Sequence, residues 1–195
     1  MGSYKDWSDK IQTVWISLTK GSKTVPNKIA FVPQEAWIFG GTIRENILVG
    51  REYQKEFYDR VIQACSMVSD FENFPSRDQT FVKIFFIAHK SFLNICSGGQ
   101  RARINLARAL YSDANLYLMD DPLAAVDTKV VNHIYHNAIS EELAKKTKIL
   151  VTHHVSLLRN ADKIICINNK ARFEMFPTRN GSLEFSVGFE THLRK

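Results

Sequence analysis

The chain has 195 residues, 45% of them hydrophobic, which is enough for one domain with a proper core. Its 26 Lys and Arg against 20 Asp and Glu leave a net charge of +6 without long basic runs, which argues against a nucleic-acid partner and fits a solvated surface near anionic lipid. The cysteines (Cys65, Cys96 and Cys166) form no CxxC, so a disulfide framework or zinc site is not indicated and a reducing compartment fits; no stretch reaches the ~20 apolar residues of a membrane span.

In chain order, residues 1–28 carry the weakest pattern, with an apolar-rich stretch at 11–18 and no signal-peptide core. Residues 29–32 read as a short strand, with Gln34 just past its end. Residues 44–69 read as helical, with Phe57, Val61, Ile62 and Ala64 on the apolar face. The stretch 82–95 has no glycine and an apolar cluster at 84–87, and it is expected to pack outside the sheet as an exposed loop or stray helix. Ser97-Gly98-Gly99-Gln100 then opens a helix over 101–110, whose apolar positions are Ile104, Leu106, Ala107 and Leu110. A small polar turn feeding a helix N-terminus suits an anion, because free N–H groups and the helix dipole both favour phosphate.

Residues 115–119 form an apolar run of strand length, ended by Asp120-Asp121-Pro122. Carboxylates at the C-terminal end of a buried strand lie where open α/β sheets hold ligands and metal. A helix is expected over 129–145, a buried strand over 148–152 ending at His153, and a further strand over 162–167. His153 then shares a sheet edge with Asp120, while strand alternation turns His154 elsewhere, to the surface. His133 and His136 are three apart without a carboxylate or cysteine beside them, which fits a solvated helix face better than a metal site. Asp121 before Pro122 also suits a capping role. Residues 172–195 have mixed polarity and read as a poorly ordered tail.

The order of SGGQ, a short basic helix, the run LYLMDD and a loop ending in Asp127 resembles the signature, Walker B and D-loop of an ABC-type ATPase. PQEAWIFGGTIRENILVG at 33–50 and ILVTHH at 149–154 resemble the Q-loop and switch-histidine segments, in the same order. The wording is most similar to the first nucleotide-binding domain of multidrug-resistance-associated transporters, subfamily C. The resemblance implies an α/β, P-loop-NTPase-like ABC ATPase domain: a parallel sheet flanked by helices plus a helical subdomain, incomplete at its N-terminus. It would occupy 1–170, with the helical subdomain at about 44–96, an atypical segment at 77–96 and a divergent tail at 171–195. Ser-Gly-Gly-Gln ATPases of the chromosome-maintenance type fit less well, since they carry long heptad repeats absent here.

The same resemblance implies ATP and Mg2+ as ligands. Asp120 and Gln34 would hold the metal, and Asp121, His153 and Gln34 would serve catalysis. Ser97, Gly98, Gly99, Gln100 and Asp127 would face ATP bound by a partner domain. The partners implied are a second nucleotide-binding domain and the transmembrane domains of a transporter, and the place implied is the cytoplasmic face of a membrane. Two departures count against hydrolysis. The phosphate loop GxxxxGK[ST] does not occur, and Gly21-Ser22-Lys23-Thr24 lacks its spacing and lies too close to Gln34. Asp121 stands where most of the family has glutamate, one methylene longer, and so reaches an attacking water poorly.

Overall fold

A computed structural model describes residues 26–87, 90–93, 96–167 and 173–177. The first strand, β1 (Ile29–Val32), alternates strictly: Ala30 and Val32 point into the core while Ile29 and Phe31 face outward. A loop through Gln34 and Trp37 leads to β2 (Gly41–Thr42) and α1 (Ile43–Leu48). Thr42 and Glu45 close a capping box on α1. The Glu45 N–H donates to Thr42 Oγ1 at 3.0 Å, and the Thr42 N–H donates to Glu45 Oε2 at 2.7 Å. Val49, in the left-handed region at φ 46°, stops the helix. Residues 44–69 therefore do not form one continuous helix. After a turn come α2 (Lys55–Ala64), which buries Tyr58, Val61, Ile62 and Ala64, and α3 (Val68–Asn73), which buries Asp70 and Phe71.

Next comes β3 (Phe81–Val82), paired antiparallel with β2. Then β4 (Ile84–Ile87) and β5 (Lys90–Leu93) pair with each other as a separate antiparallel hairpin. At 82, 84–87 and 90–93 the described part of the segment 82–95 is thus strand and not a stray helix. Its β-branched and aromatic residues favour a pleated backbone, and Val82 is fully buried. It does stay outside the central sheet. The long α4 (Gly98–Tyr111) follows, then β6 (Leu116–Asp120). After α5 (Thr128–Ile134) the chain continues as a wider π-type stretch at Tyr135–Glu142, and β7 (Thr147–Val151) comes next. Finally β8 (Lys163–Ile167) pairs antiparallel with β9 (Phe173–Pro177), so the start of the expected tail is a strand.

The central sheet has the order β1-β6-β7, all parallel, with Phe31 opposite Leu118 and Leu118 opposite Ile149. Parallel neighbours need long crossovers, and α1–α4 supply the one between β1 and β6. One face of this sheet is core. Ala30, Val32, Tyr117 and Met119 are buried there together with Ile104, Leu106, Leu123 and Ile134. The Tyr117 hydroxyl accepts the Ala114 N–H at 3.0 Å, so its polar atom is satisfied inside the core. On the other face Phe31 is 42%, Ile149 56% and Val151 57% exposed. The expectation of a buried strand over 148–152 is therefore wrong: apolar residues on both faces of a strand show only that both faces suit burial, and here one is covered.

Candidate functional site

Strand order gathers the site. Gln34 lies two residues beyond β1, Asp120 is the last residue of β6, and His153 lies two residues beyond β7, so all three stand at the C-terminal edge of adjacent parallel strands. Gln34 and Asp120 are exposed. Asp120 is therefore not the buried carboxylate expected from its apolar run; the strand's alternation carries it outward after buried Met119.

Asp121 is the buried one, at 9% exposure. Its N–H donates to the Val151 carbonyl at 2.9 Å, adding one more rung between β6 and β7. Its backbone then turns into the left-handed region, φ 42°, a conformation Asp tolerates better than most residues. The side chain turns inward, and Oδ2 lies 2.7 Å from His153 Nδ1. In the tautomer with a proton on Nδ1, the ring donates this bond and the carboxylate oxygen accepts it. The other oxygen, Oδ1, is buried and has no hydrogen-bond partner. Among the described residues Asp121 makes no side-chain capping bond; its one bonded oxygen faces His153.

His154 is half-buried, only partly at the surface where alternation puts it. Its ring stacks on that of His153 with centroids 4.4 Å apart, and its Nε2 is buried without a partner. Alternation fails as a guide because β7 ends at Val151, and the chain bends into a 3-10 turn at Val155–Asn160. His133 faces the Gln63 carbonyl at 3.3 Å and His136 faces Glu141 at 3.3 Å, so the two do not converge on one site.

The SGGQ turn is built as a helix start. Ser97 Oγ accepts the Gln100 N–H at 3.2 Å, and the Ser97 N–H donates to Gln100 Oε1 at 2.8 Å, a capping box for α4. Gln100 Nε2 donates onward to Asp70 Oδ1 at 3.1 Å. Arg103 donates through Nε at 3.0 Å and Nη2 at 2.6 Å to the other oxygen of Asp70. That pair is nearly enclosed, with side-chain exposures of 11% and 12%, and it ties α3 to the second turn of α4. Ser97 itself is exposed, and Gly98 and Gly99 lie against the loop at Ala125. Asp127 is exposed and caps α5 by accepting the Val130 N–H at 3.2 Å.

One residue of consequence has no signal in the sequence. Asn46, fully buried, accepts from the Phe39 N–H at 2.9 Å and donates to the Phe39 and Thr42 carbonyls at 2.9 and 3.0 Å. Arg108 donates to the Asn46 carbonyl at 2.7 Å and lies over the Trp37 ring at 4.8 Å. Together they fix the loop that follows Gln34. The pattern T-x-x-E marks the start of α1, but nothing in it marks Asn46 as the inner anchor.

The model of the ABC transporter family matches residues 1–124. The chain belongs to the ABC transporter family. It is 44% identical over 149 residues to ATP-binding cassette sub-family C member 2 of Mus musculus, covering 75% of this chain and 9% of that protein. Over 175 residues it is 42% identical to ATP-binding cassette sub-family C member 4 of Homo sapiens, covering 90% and 13%. ABC transporter C family member 9 of Arabidopsis thaliana is 39% identical over 178 residues, covering 89% and 11%. The chain thus spans about a tenth of the length of these relatives. Its matches and its parallel sheet with flanking helices are those of an ABC ATP-binding domain of the multidrug-resistance-associated type. Among the described residues, no helix of this ABC domain is long and apolar enough to cross a membrane. The stretch Gly21–Thr24 lies outside the described residues.

Proposed function

We propose that this ABC domain works as one half of a nucleotide sandwich at the cytoplasmic face of a membrane, in an exporter whose transmembrane domains and second nucleotide-binding domain are its partners. Ser97–Gln100 would complete an ATP site whose phosphates are held by the second domain. Alone, the chain would neither bind MgATP tightly nor turn it over. One observation carries this reading: Ser97 stands exposed at the start of a 14-residue helix with half-buried Gly98 and Gly99 behind it, the turn already fixed by its capping box, while the sequence contains no GxxxxGK[ST]. The helix start offers N–H groups to an anion, but the cradle and lysine that dominate phosphate binding in this fold are missing.

The residues fit a magnesium ion in type. Asp120 and Gln34 offer oxygen ligands of the kind a hard cation takes, and the Asp120 side chain makes no hydrogen bond or ion pair among the described residues. Bound with ATP, the ion neutralises phosphate charge. Asp127 would lie at the interface between the two domains. His153, oriented by Asp121, would present its ring at the sheet edge beside the γ-phosphate, while Asp121 is a poor base because its near oxygen is held by His153.

A second reading shares the same geometry. The domain would regulate a partner by supplying SGGQ without hydrolysis; the engagement of Asp121 by His153 favours it. Titration of the purified chain with a fluorescent ATP analogue tests the reading. Binding weaker than millimolar is expected, rising when an intact second domain is added. Micromolar binding abolished by Lys23→Ala would overturn it.

A further inference from the structure

Asp121, His153 and His154 each offer one ligand atom, and these atoms lie within 4.8 Å of one another. Two of the three groups are left in an unusual state. Asp121 is nine-tenths buried with Oδ1 unpartnered, and His154 Nε2 is buried and unpartnered as well. Buried polar atoms are nearly always hydrogen-bonded, and each one left alone costs about 1–3 kcal/mol. Two such atoms beside one Asp–His bond point to an absent partner that accepts lone pairs. A donor group from a peptide could serve one of them; a cation serves all three.

We propose that Asp121, His153 and His154 form a site for a first-row transition ion of zinc's class. The ligand chemistry selects the ion. Two imidazoles and one carboxylate suit Zn2+, Co2+ or Ni2+, whereas Mg2+ takes oxygen ligands and parts reluctantly with water. Zinc bonds of about 2.0–2.2 Å place tetrahedral ligands roughly 3.4 Å apart. All three separations are within 4.8 Å, so no pair need close by more than about 1.4 Å. His153 has the freedom to do so, since its side chain is 64% exposed. The backbone on the opposite side is fixed: the Asp121 N–H is bonded to Val151 and its side chain faces inward. A fourth position stays open to water, as in zinc sites with three protein ligands. The site uses neither Asp120 nor Gln34 and does not depend on the chain's handling of ATP.

The test is Zn2+ titration of the full chain against a chromophoric chelator, with Co2+ visible absorption as a second readout. A single Zn2+ should bind at micromolar or lower concentration, with Co2+ giving the intense bands of a tetrahedral site. His154→Ala and His154→Gln should each weaken binding by at least about tenfold. His133→Ala and His136→Ala should leave it unchanged, and millimolar Mg2+ should not compete. Circular dichroism confirms that each variant is folded, and the glutamine variant preserves volume should the alanine variant not fold. Zn2+ binding that survives both His154 variants, or that is lost with His89→Ala or His192→Ala instead, would overturn the site. So would equal competition by Mg2+.

Discussion

His153 Nδ1 lies 2.7 Å from Asp121 Oδ2, a bond that joins the ends of β6 and β7 across 32 residues of sequence. It does not satisfy the whole carboxylate, for Oδ1 is buried without a partner and the backbone at Asp121 is left-handed. A group kept in that condition reduces the stability of the fold. In Asp121→Asn the buried charge disappears, while asparagine tolerates the same backbone and can donate to His153 in its other tautomer. We expect the metal-free variant to gain about 1 kcal/mol in urea unfolding. A lower unfolding midpoint would show that a carboxylate in this setting is not a cost.

The Asp70–Arg103 pair sets a larger stake. Asp70→Ala removes the partner of an almost enclosed guanidinium and of Gln100 Nε2. Breaking one side of such a pair costs about 3–5 kcal/mol, whereas replacing both sides with apolar groups of similar size is close to neutral. The double variant Asp70→Leu with Arg103→Met should therefore recover most of the loss, measured by chemical denaturation. Equal losses in single and double variants would refute this.

Gly98 and Gly99 are neighbours with different tolerances. A Cβ on Gly98 would meet the Ala125 side chain at 3.6 Å, an ordinary contact, while one on Gly99 would meet the Ala125 backbone oxygen at 3.0 Å. Alanine gains up to about 1 kcal/mol over glycine inside a helix. Gly98→Ala should keep that gain, and Gly99→Ala should lose it by pushing the loop that carries Asp127. The melting temperatures should rank Gly98→Ala above wild type and Gly99→Ala below Gly98→Ala. The opposite ranking of the two variants would be decisive against this packing.

Burial pushes the thiols of Cys65 and Cys96 upward from their ordinary value of 9.0. The native chain then holds these protons at a pH where the unfolded chain releases them. Stability from this source is complete below about pH 9 and falls as pH rises above it. Two readouts follow. Unfolding free energy should decline between pH 9 and pH 10.5, less so in Cys65→Ala. Iodoacetamide at pH 8 should label neither Cys65 nor Cys96 in the native state, judged by peptide mass spectrometry. Rapid labelling of Cys65 without unfolding would contradict its burial.

Much of this was legible in residues 29–32, 97–111 and 115–120, where short apolar runs and an S-x-x-Q helix start carry local signals that do not need a partner. What stayed hidden depends on distant contacts. Asp121 finds His153 only because β6 and β7 are neighbours, and Asp120 faces outward because strand pleating reverses at every residue. The position of His154 follows from a bend after Val151 that no alternation rule foresees. Asn46 looks like any polar residue on a surface helix, yet three backbone groups and Arg108 surround it. Strand β9 was missed for the opposite reason: its own spacing is irregular, and its order comes from pairing with β8.

The capping box at Ser97 leaves a division of labour within a single atom. Its oxygen spends a lone pair on the Gln100 N–H, and the hydroxyl hydrogen takes no part in that bond on an exposed residue. Aspartate would start the helix equally well, yet it would offer a phosphate a negative charge instead of a hydrogen. Stability alone therefore cannot explain a serine at this position. Swapping the residue there separates what the chain needs to fold from what a visiting anion needs to be welcomed.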